Sequence, residues 1–440
     1  MLDVLHHKTY LRLLSAQMIA LIGTGLATVA LGLLAYDLAP EDAGAVLGTA
    51  LAIKMLAYIG IAPIANAFAQ QLPRKTVLVT LDLVRAVVVL ALPFVTQIWQ
   101  VYVLIFVLQS ASAGFTPTFQ ATIPDVLPDE EDYTKALSLS RIAYDLESLV
   151  SPLLAAALLG VIGFHKLFVG TALGFIVSAL LVSATSLPKA KPSPEKSIFE
   201  RTTRGLRIYL ATPRLRGLLA VSMAVAAGSS MVLVNTVPIV QGELGLTAKH
   251  TAWALAAFGA GSMLAAMGLP NLLLQHKDRS VMLWACALLA CGVLGSAWAQ
   301  AEFLTLLPIW FILGMAYGVA QTPSGRLLRK SARTEDRPAL FAANFALSHA
   351  CWLLAYPVAG WVGARWGIDF AAWVLFTLCV LALGLAVLVW PAQEDSALIH
   401  THAELSAEHH HWRELGTTGT KSQSHRHEFV IDDLHPRWPH

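Results

Sequence analysis

Twelve windows of about 20 residues, each poor in charge, decide what this chain can fold into. They fall at approximately 12–36, 43–69, 77–96, 100–122, 138–162, 167–187, 217–240, 251–274, 281–299, 303–322, 340–363 and 370–390. A segment crossing hydrocarbon has to pair its backbone groups internally, so windows of this length read as membrane helices. Of 440 residues, 56% are hydrophobic and 13% charged, against about 25% charged in a water-soluble domain. The expectation is an all-α membrane protein with twelve transmembrane helices in two pseudo-symmetric six-helix bundles. The net charge of +2 gives no footing for nucleic acid, and a monomer is expected.

The first apolar run is too long for the core of a cleavable signal and is read as retained. With both termini cytoplasmic, Lys54 and Arg85 lie inside spans and only Lys166, Lys249 and Arg365 fall outside, the distribution the positive-inside rule favours. The chain is therefore placed as a multi-pass protein of a bacterial inner membrane. Four divisions follow: a bundle over 1–187, a linker over 188–216, a second bundle over 217–390 and a tail over 391–440. The linker carries Lys189, Lys191, Lys196, Arg201, Arg204, Arg207, Arg214 and Arg216, and its 197–211 stretch reads as an amphipathic helix on the inner membrane surface. The halves echo one another. FVLQSASAGFTP in the fourth span matches FILGMAYGVAQTP in the tenth, EDYTKAL matches EDRPAL, and Ser151-Pro152 corresponds to Tyr356-Pro357.

Ionisable groups inside spans are costly and normally face a partner or a watery cavity. SLSRIAYDLESLVSPLLAAALLG (138–160) carries Arg141, Asp145 and Glu147. Arg141 and Asp145 share a helix face and read as an intrahelical pair, whereas Glu147 lies about 200° around. Glu147 is either part of a substrate or proton site or a buried protonated carboxyl. Lys54 sits close to mid-bilayer, as a structural ion pair or as a gate or coupling residue. Asp82 and Arg85, three residues apart, should neutralise each other. In the eleventh span, FAANFALSHACWLLAYPVAG offers Asn344, Ser348 and His349, the last either a hydrogen-bonded core histidine or a site residue. Gln109 and Thr116, in the Pro-broken end of the fourth span, are expected to line a path, or simply to pack between helices. Cys286, Cys291, Cys351 and Cys379 all lie in spans and read as small apolar residues.

The tail holds nine of the chain's 15 histidines, among them His400, His402, His409, His410, His411, His425 and His427. Imidazole suits several divalent transition metals, and a flexible tail does not choose among them. Low hydrophobicity argues for a disordered tail, apart from VIDDLHPRWPH at its end, which is varied enough to dock.

The chain resembles the major facilitator superfamily, on VLVTLDLVRAVVVLALPF, on TPTFQATIPDVLPDEEDYTKALSLSRIA with SPLLAAALLG, and on VPIVQGELGLTAKHTAWALAAFGAGSMLAAMGLP. That likeness implies two bundles, a central cavity and alternating access. The superfamily's Gly, Asp, Arg, Gly, Arg loop pattern is eroded: Asn66, Gln70, Gln71 and Pro73 take its first four places, and Arg74-Lys75 alone keeps its character. YDLESLVSP, ALSHACWLLAYP and the His-bearing tail resemble nickel and heavy-metal resistance exporters of this superfamily. What this resemblance implies is export of a divalent metal, Ni²⁺ foremost, in exchange for protons, with no tightly bound cofactor. Glu147 and His349 would be its ligands, with Asp145, Arg141 and Lys54 in support. The alternatives are an exporter of siderophores or amphipathic drugs, and a non-transporting metal sensor or buffer. Nothing in the chain suggests an enzyme.

Overall fold

The computed structural model describes residues 2–69, 72–129, 132–133, 136, 139–140, 143, 150–151, 154–187, 198–299, 302–333, 336–392, 397–401, 424–431, 435 and 438. Among these the long helices are α1 (Lys8–Leu38), α2 (Ala43–Ala69), α3 (Arg74–Ala91), α4 (Ile98–Val126), α5 (His165–Ser183), α7 (Pro213–Val237), α8 (Ala248–Gln275), α9 (Asp278–Ala299), α10 (Phe303–Gln321), α12 (Arg337–Trp366) and α13 (Ile368–Val389). Two shorter helices, α6 (Ile198–Ala211) and α11 (Ser324–Lys330), lie between them. Eleven helices among the described residues are long and apolar enough to cross a membrane. The remaining expected span, 138–162, lies partly outside the described residues, 144–149 among them. Those that are described between Asp132 and Leu159 are helical.

Prolines mark the ends. α3 gives way to a 3-10 turn over Leu92–Phe94, where Pro93 supplies no N–H. α7 starts on Pro213, a first-turn position where no intrahelical N–H is needed, and passes at Pro238 into a π turn ending at Glu243. α12 outruns its apolar window of 340–363, running from Arg337 to Trp366.

In the first bundle α1 packs on α5, α2 on α4, and α3 on both α4 and α5. In the second, α8 packs on α10, α7 on α12 and α13, and α9 on α10 and α13. The two meet chiefly where α2 lies along α12. This is an all-α membrane protein built as two helical bundles.

The first bundle is held by a charge pair. Asp82 and Arg85, both buried, form the expected ion pair on α3. Ser178 of α5 donates to Asp82 at 2.7 Å, and the guanidinium stacks on Phe115 at 4.0 Å and Phe175 at 4.5 Å. Three helices are thus joined around one pair. In the second bundle Arg326 of α11 is ion-paired with Asp278 of α9, while Arg214 Nε donates to Ser331 Oγ at 2.8 Å.

Among its described residues the tail departs from the expected disorder. Ala397–Thr401 and Ser424–Glu428 pair as an antiparallel two-stranded ribbon, with His400 opposite His425. Beyond it Phe429, Ile431 and His435 are buried, and Trp438 lies 5.8 Å from the Arg214 guanidinium. Burial of these residues is the docking expected of VIDDLHPRWPH, with Phe429 just before it taking part.

Arg85→Ala leaves Asp82 buried without its partner, a change that costs about 3–5 kcal/mol, whereas pairing it with Asp82→Asn removes the stranded charge. Thermal unfolding in detergent should show a large loss for the single variant and a partial recovery for the double; equal stability of Arg85→Ala and the parent protein would refute the anchor. Trp438→Ala should speed proteolytic removal of the last residues by about fivefold, since the loss of a partly buried aromatic contact costs about 1 kcal/mol. An unchanged cleavage rate would refute the docking.

Candidate functional site

Two glycines let α2 and α12 touch. A Cβ on Gly48 would meet the Tyr356 carbonyl oxygen at 2.6 Å, and one on Gly360 would fall onto the backbone of Gly44. Close backbone approach of this kind is how membrane helices associate without a hydrophobic driving force. Trp361 Nε1 donates to Thr49 Oγ1 at 2.9 Å across the same seam, and Asn235 of α7 donates to the Ala359 carbonyl at 3.3 Å. Because α2 begins and α12 ends here, this contact lies at the end of the bundle away from the N-terminus.

Further along, the two helices meet through side chains instead of backbone. Phe345 faces Tyr58, with ring centroids 5.9 Å apart, and yet remains 39% exposed. Tyr58 also meets His349 edge-on at 5.4 Å, and Phe345 lies over the imidazole at 3.9 Å. His349 Nδ1 lies 2.7 Å from the Phe345 carbonyl. A carbonyl only accepts, so Nδ1 carries the hydrogen and Nε2 is left for a ligand or a second proton.

Lys54, one turn before Tyr58, joins this patch to the first bundle. Its ammonium lies 5.8 Å from the Tyr58 ring. It also lines a cavity of about 20 Å³ among α1, α2, α4 and α5, together with Thr24, Thr28, Gln109 and Ser112. That volume accepts about one water. Gln109 Oε1 is buried there without a protein donor, an acceptor aimed at a small polar guest.

Lys54 and His349, singled out separately in the sequence, thus come together across the seam. Gln109 joins Lys54 at the small cavity, and Thr116 is half-buried on α4 and is not among that cavity's lining residues. Ser348 Oγ donates to the Phe345 carbonyl at 3.0 Å, and Asn344 Oδ1 accepts from Tyr209 of α6 at 3.1 Å. Arg141, Asp145, Glu147, His402 and His409 to His411 lie outside the described residues. Among the described residues no group of three His, Cys, Asp or Glu side chains could hold a metal. Sequence reading missed Tyr58 and Phe345, which only their i,i+4 spacing to Lys54 and His349 could have flagged.

A family model described as Major Facilitator Superfamily matches residues 13–271 and 218–423. An uncharacterised transporter of this type from Bacillus subtilis (strain 168), YfiS, is 25% identical over 410 residues, covering 87% of this chain and 93% of its own. Macrolide efflux protein A of Streptococcus pyogenes is 25% identical over 153 residues, 32% of this chain and 38% of its own length. In fold, the chain is similar to a bacterial homologue of the lysosomal transporter Spinster in an inward-facing, unoccupied conformation (TM-score 0.69, 11% identity, 87% of this chain and 96% of that one). It is also similar to the D-xylose–proton symporter (TM-score 0.66, 15% identity, 87% and 98%). These relatives lend no support to a nickel or heavy-metal branch.

Overpacking a close helix contact costs about 1–3 kcal/mol, so Gly360→Leu should shift the seam toward separation by about fivefold or more. With Cys291→Ser removing the exposed thiol, a Thr49→Cys reporter should react correspondingly faster with an impermeant maleimide supplied on the side opposite the termini. Equal rates with and without Gly360→Leu would show that the seam is not what closes that end.

Proposed function

Because the chain belongs to the Major Facilitator Superfamily, we propose that it is a secondary transporter that exports amphipathic organic molecules from the cytoplasm in exchange for protons. Family membership makes it a transport protein and not an enzyme. The observation that carries the cargo is the patch across the seam: an ammonium, a phenol, an imidazole and a phenyl ring from Lys54, Tyr58, His349 and Phe345. Such a surface suits a molecule with an apolar body and a polar handle, and it is the usual composition of a small-molecule site. The partial likeness to macrolide efflux proteins points the same way.

In this reading residues 1–187 and 217–390 rock about the α2–α12 seam, with the termini, linker and tail on the cytoplasmic side. Cargo enters at the Tyr58–Phe345 end of the seam and leaves after the glycine contact opens. Lys54 and His349 Nε2 hold either the polar handle or a transported proton, and this competition couples the two movements. Glu147, Asp145 and Arg141 would supply the balancing charges from the adjoining span.

Export of Ni²⁺ or another divalent cation is the second reading. His349, with Nε2 available, and the His400 to His425 register of the tail ribbon favour it. Vesicles prepared with the cytoplasmic side outward and an imposed proton gradient separate the two. We expect gradient-driven uptake of a macrolide, reduced about 10–100-fold by Lys54→Met or His349→Ala, as loss of a hydrogen bond to a charged group implies. Uptake of Ni²⁺ without macrolide would replace this reading by the second. Full macrolide uptake in both variants would remove the patch from the mechanism.

A further inference from the structure

The linker helix α6 has two unlike edges. One is spent on α12: Arg204 grips Asp336 through Nε to Oδ1 at 2.5 Å and Nη2 to Oδ2 at 3.0 Å. Gly205 lets the backbones meet, since a Cβ there would fall onto the Ala339 carbonyl. Ile208 and Tyr209 are buried, and Tyr209 donates to Asn344 at 3.1 Å. Burial pushes the Tyr209 phenol above its ordinary range, so it stays a donor at any physiological pH. The sequence alone assigns the helix's buried face to the bilayer. The structure assigns that face to protein.

The opposite edge repeats at i, i+3, i+4 and i+7: Thr203, Leu206, Arg207 and Leu210, all exposed, with Leu206 at 37% and Leu210 at 44%. Two leucines flanking an arginine make a poor water-facing edge and a good interfacial one. Its height is fixed. α6 runs directly into Pro213, where one span begins, and it is bolted to the first turns of α12, whose span begins at Ala339. Around it the segment 188–216 sets eight basic residues against Glu195 and Glu200.

We propose that this exposed edge is a contact surface for the anionic headgroups of the leaflet on the side of the termini. Leu206 and Leu210 lie beneath the headgroups, and Arg207 selects lipid phosphates that carry net negative charge. Because the other edge is fastened to α12 by Arg204, Gly205 and Tyr209, the lipid contact holds α12 as well as the linker.

The test needs no knowledge of the cargo. Full-length protein with Cys291→Ser and a fluorophore on Leu210→Cys is reconstituted with equal mole fractions of spin-labelled phosphatidylglycerol or spin-labelled phosphatidylcholine, and quenching is compared with that by aqueous iodide. The expected result is about twofold or more stronger quenching by the anionic lipid, equalised by Arg207→Gln and by high salt. Equal quenching by both lipids, or a preference that survives Arg207→Gln, would overturn the charge selection. Stronger quenching by iodide, or protection from all three, would place the edge in water or against the other bundle and overturn the proposal altogether.

Discussion

The backbone contact between α2 and α12 is what the rest of the arrangement depends on. Inside a bilayer, lipid tails are as apolar as leucine, so two bundles stay together only where their surfaces fit closely or exchange hydrogen bonds. Gly44, Gly48 and Gly360 provide the fit, and Thr49 with Trp361 provides the hydrogen bond. The closest backbone approach lies at one end. Further along, Tyr58 meets Phe345 and His349 through its ring, with Lys54 beside it.

Charge is handled differently at three depths. Asp82 and Arg85 are paired, hydrogen-bonded and sandwiched by aromatic rings, so their charge serves to join helices. Lys54 borders a small polar cavity on one side and the aromatic seam on the other. Arg204 and Arg214, at the membrane edge, fasten the linker and the chain's last residues to the second bundle. The first arrangement is static, the last is structural scaffolding, and the middle one sets a charged group beside a polar cavity.

Much of the fold was legible because hydropathy is a local property. The window 43–69 coincides with α2, and the i,i+3 spacing of Asp82 and Arg85 was enough to pair them. The depth of Lys54 followed from rise per residue. Its neighbours did not, because Tyr58 and His349 are brought together by packing between halves that no local pattern encodes. Gly48 and Gly360 were likewise silent: a glycine in an apolar run looks the same whether it touches lipid or a backbone. The docking expected of VIDDLHPRWPH agrees with the burial of Ile431 and His435, whereas the ribbon of Ala397–Thr401 with Ser424–Glu428 was not legible, because pairing between distant segments leaves no local pattern. The carboxylates of the 138–162 span, to which the resemblance gave the metal site, lie outside the described residues.

The central claim is that transport proceeds by parting the α2–α12 seam. Asp42 and Arg365 line a depression of about 330 Å³ at its end, together with Trp361, and are well placed as reporters. Spin labels on Asp42→Cys and Arg365→Cys, with Cys291→Ser, would report the separation by pulsed dipolar spectroscopy in vesicles. The account predicts a short distance at rest and a second, longer population when a proton gradient and a macrolide are supplied together. A single unchanged distance under both conditions, in protein shown to transport, would contradict it.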